Sequence, residues 1–449
     1  MSGDTRSAAP RGTLRVRDGV ALMVGVVVGI GVFKAPSLVA ARIDDPAAIL
    51  ALWVAGALVV LVGALCYAEL ASAFPDAGGE YHFLVRAFGA ATGFLFAWGR
   101  LAVVQTGAIA AVGFVLGDYA QWLLPLGESG PALYAGLAVA AVTALNIRGT
   151  RISAGVQNVL AVLLCATIVA AALLGFLLHE GAAPAAAPAD APAAGGLMAG
   201  IGFAMIFVML TYGGWNEAAY LSAELRDVRR TMVRVLAWGT AAVAALYLLL
   251  NGAYLYVLGP GGMRASDAVG ADYVAALLGK PGAAVLALVV IVAALTTLNA
   301  TIFTGARSIY AMSRDVPLFG RLGRWDSRAQ GPVNAHLAQA ALALVLIGAG
   351  AVARQGFTAM VEYTAPVFWF FLLLTGFAVF VLRRRGLPDG GFRVPLYPLT
   401  PVLFCASSGF MLHAALVHTG AGALFGVGVL ALGLPVWWLA RRRRLHPAG

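Results

Sequence analysis

Apolar residues collect in twelve long runs separated by short polar stretches, near 18–41, 46–74, 90–123, 131–147, 153–178, 197–223, 231–258, 282–312, 333–353, 357–383, 394–418 and 421–440. About 20 apolar residues in a helix cross the roughly 30 Å hydrocarbon core of a bilayer. Lipid offers no hydrogen-bond partner to exposed backbone, so runs of this kind must be helices. The pattern predicts an all-α integral membrane protein with 12 transmembrane helices, numbered below as spans 1 to 12.

Composition sharpens this picture. Of 449 residues, 61% are hydrophobic and 11% charged, against about 25% charged in an ordinary soluble domain. A soluble core cannot bury so much apolar surface. The net charge of +10 does not point to nucleic acid, because the basic residues are scattered over the loops that flank the spans. They report orientation instead. With the N-terminus inside, 23 of the 30 Lys and Arg residues fall on cytoplasmic segments. External loops hold only Arg42, Arg264, Lys280 and Arg354, and Lys34, Arg100 and Arg307 lie within spans. Both termini are therefore expected in the cytoplasm. Cys66, Cys165 and Cys405 sit inside spans, so no disulfide is expected. Residues 1–17 are polar and no small-residue cleavage site follows the first run, so that run reads as a retained helix, not a signal peptide.

The chain divides into a cytoplasmic tail (1–17), spans 1–5 (18–178), an external Ala/Pro-rich linker (179–196), spans 6–10 (197–383), spans 11–12 (394–440) and a cytoplasmic tail (441–449). Five spans is an odd number, so a second set of five enters the membrane upside down. That is the origin of a 5+5 inverted repeat. The first span of each set also carries an interruption. Span 1 contains Gly25-Val26-Val27-Val28-Gly29-Ile30-Gly31-Val32-Phe33, and span 6 contains Thr211-Tyr212-Gly213-Gly214-Trp215-Asn216. Glycine lowers the cost of leaving helical geometry. Gly25-x-x-x-Gly29 alone is a helix-packing motif, but matching breaks in two halves point to a substrate site at mid-membrane.

At these residues the sequence resembles the amino acid–polyamine–organocation superfamily, close to its L-type amino acid transporter and bacterial permease branch. The likeness rests on Gly29-Ile30-Gly31-Val32-Phe33, then Tyr67-Ala68-Glu69-Leu70, Phe74-Pro75 and Gly78-Gly79-Glu80-Tyr81. It continues through Tyr212-Gly213-Gly214-Trp215-Asn216, Glu224-Leu225, Arg229-Arg230, Leu298-Asn299-Ala300, Arg307, Ala311-Met312-Ser313-Arg314-Asp315 and Pro332-Val333-Asn334-Ala335. The resemblance implies the LeuT-type fold and alternating access, in which spans 1, 2, 6 and 7 rock against spans 3, 4, 8 and 9.

An α-amino acid presents a carboxylate and an ammonium group. Unwinding Gly29-Ile30-Gly31 exposes N–H groups at the start of the outer half-helix, where the dipole favours a carboxylate. Val27 and Val28 end the inner half-helix and leave carbonyls for the ammonium. By resemblance, Leu210, Thr211 and Gly213 share that duty, and Trp215 or Tyr212 closes over the ligand, with ordinary packing the alternative for either ring. Asn216 completes the candidate substrate set. Thr297, Thr301, Thr304 and Ser308 recur on one face of span 8, as pocket lining or as interhelical glue.

Coupling is where the sequence departs from the resemblance. Many relatives place a Lys in mid-span 5, at the position here of Leu163 or Leu164, and residues 152–178 contain no Lys, Arg, Asp or Glu. Thr296 and Thr297 are the candidate hydroxyl ligands for sodium beside span 1 carbonyls, ranked below ion-independent exchange. Ionisable groups inside a bilayer are functional candidates. Lys34 and Glu217 qualify for coupling or gating, with snorkelling the alternative for Lys34. Arg100 is expected to pair with an acid, Glu224 with Arg on inner loops, and Glu69 and Glu80 to be structural.

No nucleophile elbow, phosphate loop or metal-ligand spacing stands out, so an enzyme is not expected and no cofactor is required beyond possible sodium or proton coupling. A channel would call for charge rings or filter loops. Eukaryotic L-type relatives pair with a glycoprotein through an external Cys. The loop from Leu124 to Gly130 has none, so no disulfide-linked ancillary subunit is expected. The reading is a secondary transporter of neutral L-amino acids in a plasma membrane, with a bacterial inner membrane suggested by the Ala-, Gly- and Arg-rich composition. A non-transporting amino acid receptor and a cationic amino acid or amine permease are the alternatives.

Overall fold

The computed structural model describes residues 14–33, 35–179, 196–266, 268–279, 281–353, 356–388, 390–418 and 421–445. Lys34 and most of the Ala/Pro-rich linker lie outside the described residues. The helices run in the order α1 (Val16–Val27), α2 (Ala35–Ala40), α3 (Pro46–Ala73), α4 (Glu80–Phe88), α5 (Ala90–Gly99), α6 (Gln105–Leu123), α7 (Gly130–Arg148), α8 (Thr150–Leu178) and α9 (Gly196–Thr211). They continue as α10 (Val228–Ala265), α11 (Val269–Leu278), α12 (Gly282–Asp315), α13 (Val333–Ala353), α14 (Gly356–Arg384), α15 (Leu399–His418), α16 (Ala421–Ala431) and α17 (Gly433–Leu445). Among the described residues the only strand-like pairings are isolated bridges, Leu14 with Leu225 and Asp326 with Gly331.

Ten continuous helical stretches among the described residues are long and apolar enough to cross a membrane. The twelve-run reading exceeds this by two, and the difference has a physical cause. Spans 1 and 6 are the two interrupted runs, and each half is too short to cross alone. Span 1 is split into α1, a 3-10 turn at Ile30–Phe33 and α2, while span 6 is split into α9 and a 3-10 segment at Trp215–Leu221.

Local chemistry sets several boundaries. The Asp45 carboxylate accepts hydrogen bonds from Ala47 N and Ala48 N, and Pro46 fills the first turn of α3, where its missing N–H costs nothing. In α10, Gly259 leaves helical geometry with φ 64° just before Pro260, whose ring and absent N–H break the ladder. α1 sits between α10, α8 and α12, and α3 lies along α10, so both breaks are enclosed by continuous helices. Apolar side chains such as Val159, Val162 and Leu177 of α8 and Leu424 and Phe425 of α16 are exposed, as a lipid-facing surface requires.

Candidate functional site

The break in span 1 is a tight turn. Val28 has φ −76° and ψ 76°, the inverse γ-turn geometry, and Gly29 N donates to Val27 O at 2.8 Å. The break in span 6 turns on Gly214, at φ 99° and ψ −7°, a left-handed conformation that favours glycine. A Cβ there would also lie 2.5 Å from Val26 Cγ1. Gly214→Ala is therefore expected to lower transport at least about tenfold with normal membrane insertion, combining backbone strain of roughly 1–2 kcal/mol with pressure on α1. Uptake by purified variant in proteoliposomes measures this.

The two breaks meet. A Cβ on Gly31 would touch Thr211 at its Cγ2 and Oγ1, both at 3.2 Å. The Tyr247 hydroxyl of α10 lies 2.7 Å from Val27 O and 2.9 Å from Thr211 O, so one donor serves a carbonyl from each break. Val27 O was expected to be free, and it already accepts from Tyr247 and Gly29 N. The Leu210 carbonyl is taken as well, by Gly213 N at 3.1 Å, and the Leu210 side chain is 50% exposed. Val28 is buried at the turn.

The remaining candidates separate into groups. Tyr212 donates to Trp53 O at 3.1 Å and packs against Trp53 and Tyr247, with ring centroids 5.9 and 5.0 Å away. Trp215 is turned toward α3 and α15, edge-on to Tyr67 at 4.9 Å and to Phe404 at 5.9 Å. Asn216 points Nδ2 at Glu80, 3.3 Å from Oε2. Of the two hydroxyls assigned to a cation site, only Thr297 faces span 1, donating to Gly25 O at 3.0 Å. Thr296 spends its hydroxyl on Val292 O of its own helix at 2.7 Å, and a Cβ on Gly25 would meet its methyl at 2.5 Å. Leu164 is fully buried and Leu163 is 48% exposed, so Leu164 is the interior position of mid-α8.

Among the described residues, each buried charge has an oppositely charged neighbour. Arg100 Nη2 lies 2.5 Å from Glu217 Oε2 and Nη1 3.7 Å from Glu80 Oε2. Glu69 is held by Arg383 and by Val394 N. Glu224 was expected to pair with inner-loop Arg. It pairs instead with Arg307 of α12, with Nη2 3.0 Å from Oε2 and a second bond from Nε to Oε1. The glycine-rich breaks were visible in the sequence, whereas Tyr247 was not, since nothing marks it off from other aromatics in span 7. Gly214 stood in the quoted motif, but its left-handed role required the fold.

Residues 16–433 match the family described as Amino acid permease. The chain is 26% identical over 427 residues to the serine/threonine exchanger SteT of Bacillus subtilis, covering 94% of this chain and 95% of that protein. It is 27% identical over 410 residues to the b(0,+)-type amino acid transporter 1 of Mus musculus, covering 90% and 82%. It is 26% identical over 425 residues to the large neutral amino acids transporter small subunit 2 of Homo sapiens, covering 93% and 78%.

Proposed function

Because the chain belongs to the amino acid permease family, and so is a multi-pass membrane transporter of amino acids and not an enzyme, we propose that it moves neutral L-amino acids across the membrane by alternating access. The observation that carries this reading is the convergence of Val27 O and Thr211 O on a single donor, the Tyr247 hydroxyl. Two carbonyls from two broken helices form a receptor for a cationic N–H donor, and a substrate ammonium competes with Tyr247 for them. The substrate carboxylate faces the N–H groups that begin the outer half of span 1 at Ile30 and Gly31, which have no intrahelical partner. Backbone recognition leaves the side-chain pocket uncharged. Among the described residues, Thr211, Tyr247, Thr296, Thr297, Val26 and Gln157 are side chains that touch the glycines and carbonyls of the breaks, and these six are uncharged, which favours neutral over acidic or cationic substrates.

In this proposal spans 1 to 5 and 6 to 10 form an inverted repeat, spans 11 and 12 complete twelve crossings, and both termini face the cytoplasm, as the basic loops require. The similarity to SteT favours a bacterial inner membrane. Cys66, Cys165 and Cys405 all lie within α3, α8 and α15, which supports action without a disulfide-linked subunit.

Counterflow in proteoliposomes tests the proposal. Vesicles preloaded with unlabelled amino acids are expected to accelerate entry of labelled alanine, serine, leucine or methionine. Selective exchange of arginine or glutamate, or no exchange at all, contradicts it.

A further inference from the structure

A second polar centre lies beyond the helix breaks. Arg100 opens a π-helical turn, Arg100–Val104, between α5 and α6, and such turns gather at functional positions. Its guanidinium bridges Glu217 and Glu80 and lies 4.1 Å over the ring of Tyr220. Every face of the acid pair is defined. Tyr67 of α3 donates to Glu80 Oε1, and Tyr220 donates to Oε2 at 2.6 Å. Asn216 Nδ2 approaches both oxygens, and Thr304 of α12 donates to Glu217 Oε2. From α14, apolar Val367, Phe368 and Phe371 line the space beside Glu80 and Arg100, and Thr375 lies at the Tyr67 hydroxyl. One turn further along α12, Arg307 is neutralised by Glu224.

The charge count is uneven. One guanidinium faces two carboxylates, with side-chain exposures of 3% for Arg100, 3% for Glu80 and 9% for Glu217. Uncompensated charge in so dry a place is costly, and a single proton removes it. Burial raises the Glu80 carboxyl, and neighbouring Glu217 adds to this, against Arg100, Tyr220 and Tyr67, which lower it. One further observation points to a protonated form. Asn216 Oδ1 is buried without a hydrogen-bond partner, and with the side-chain amide turned over it faces Glu80, where a protonated carboxyl is the donor it needs. Glu80 and Arg100 also border a cavity of about 10 Å³, room for a single water.

We propose that the Glu80–Glu217 pair, spanned by Arg100, is a proton-binding site, and that the proton it takes up crosses the membrane with the amino acid. This rests on the alternating-access reading above. Glu217 follows the span 6 break and Tyr67 belongs to α3, whereas Arg100 and Thr304 belong to the continuous helices 90–123 and α12. Motion of the broken helices must pull Glu217 from Arg100. A carboxylate leaving Arg100 would be bare, and a carboxylic acid leaves neutral. The proton enters the pair from one side and is released when the ion pair re-forms.

The test uses the full chain in proteoliposomes, with whichever of labelled alanine, serine, leucine or methionine gives the fastest counterflow at symmetric pH. Failure of that counterflow contradicts the transport reading itself. With counterflow present, an acidic exterior is expected to drive accumulation roughly tenfold per pH unit for one proton per substrate. Entrapped pyranine should report acidification of the lumen in step. Glu217→Gln and Glu80→Gln are expected to lose both effects. Glu217→Asp keeps a carboxylate, and should retain proton movement with a shifted pH midpoint even if the glutamines fold poorly. Amino acid accumulation without lumenal acidification, or both glutamine variants keeping the wild-type pH response, overturns the proposal while leaving the transport reading intact.

Discussion

Gly31→Leu is expected to abolish amino acid transport while the protein remains in the membrane. The first atom of any side chain at this position already meets Thr211 Cγ2 and Oγ1 at 3.2 Å and its Cα at 3.4 Å. A leucine carries three further carbons past that contact, into the place where the two breaks face one another. Either the breaks separate or the substrate space fills, and both outcomes remove the paired carbonyls of Val27 and Thr211. Overpacking of this kind costs roughly 1–3 kcal/mol, too little to unfold the helical bundle around it. Uptake should fall by about a hundredfold or more, as a loss of roughly 3 kcal/mol of binding implies, while Gly31→Ala, with one methyl, should lose less. Membrane abundance and a monodisperse profile in detergent distinguish this from misfolding. Wild-type uptake by Gly31→Leu would remove span 1 from the site.

Arg307→Leu is expected to cause the largest loss of stability. Arg307 is fully buried and makes a two-pronged contact with the Glu224 carboxylate, while Nη1 donates to Phe303 O at 2.6 Å. Removing the guanidinium leaves a carboxylate in the interior with no counter-charge, a change that typically costs about 3–5 kcal/mol. Thermal unfolding in detergent should show a sharp loss, or the variant should fail to accumulate. The double variant Arg307→Leu with Glu224→Leu should recover much of it, since no bare charge is left. Equal stabilities for single variant and wild type would mean that the pair contributes nothing. The location matters for function, because Glu224 ends the segment that follows the span 6 break. Leu14 N donates to Glu224 O and Arg226 N to Leu14 O, so this pair anchors the entry to α1 as well.

The sequence foretold those features that single segments determine. Long apolar runs must be helices in lipid, and Gly29, Gly31, Gly213 and Gly214 marked where two of them stop being continuous. What local sequence does not carry is pairing across the fold. Arg100 and Glu217 are 117 positions apart, and nothing in either neighbourhood names the other. Glu224 was matched to the abundant inner-loop arginines, because composition shows how many partners exist and not which one is desolvated beside it. The same limit hid Tyr247, one tyrosine among thirteen. Its importance comes only from lying where two breaks meet. Thr296 and Thr297 look equivalent in sequence, yet a helix turns adjacent residues about 100° apart, and of the two hydroxyls only that of Thr297 reaches α1, while Thr296 presents its methyl to Gly25.

The central claim is that backbone of both broken helices grips the two α-substituents common to all amino acids. Competition by blocked analogues tests this most directly. Uptake of the labelled substrate is measured against the unlabelled amino acid, its methyl ester and its N-acetyl derivative. The ester removes the carboxylate and the acetyl group removes the ammonium, each leaving the side chain unchanged. Losing a charged hydrogen-bonding group costs roughly 1.5–3 kcal/mol, so each analogue should inhibit about ten- to a hundredfold less well than the parent. Equal inhibition by either analogue would contradict the account, because recognition would then rest on the side chain and not on the paired breaks.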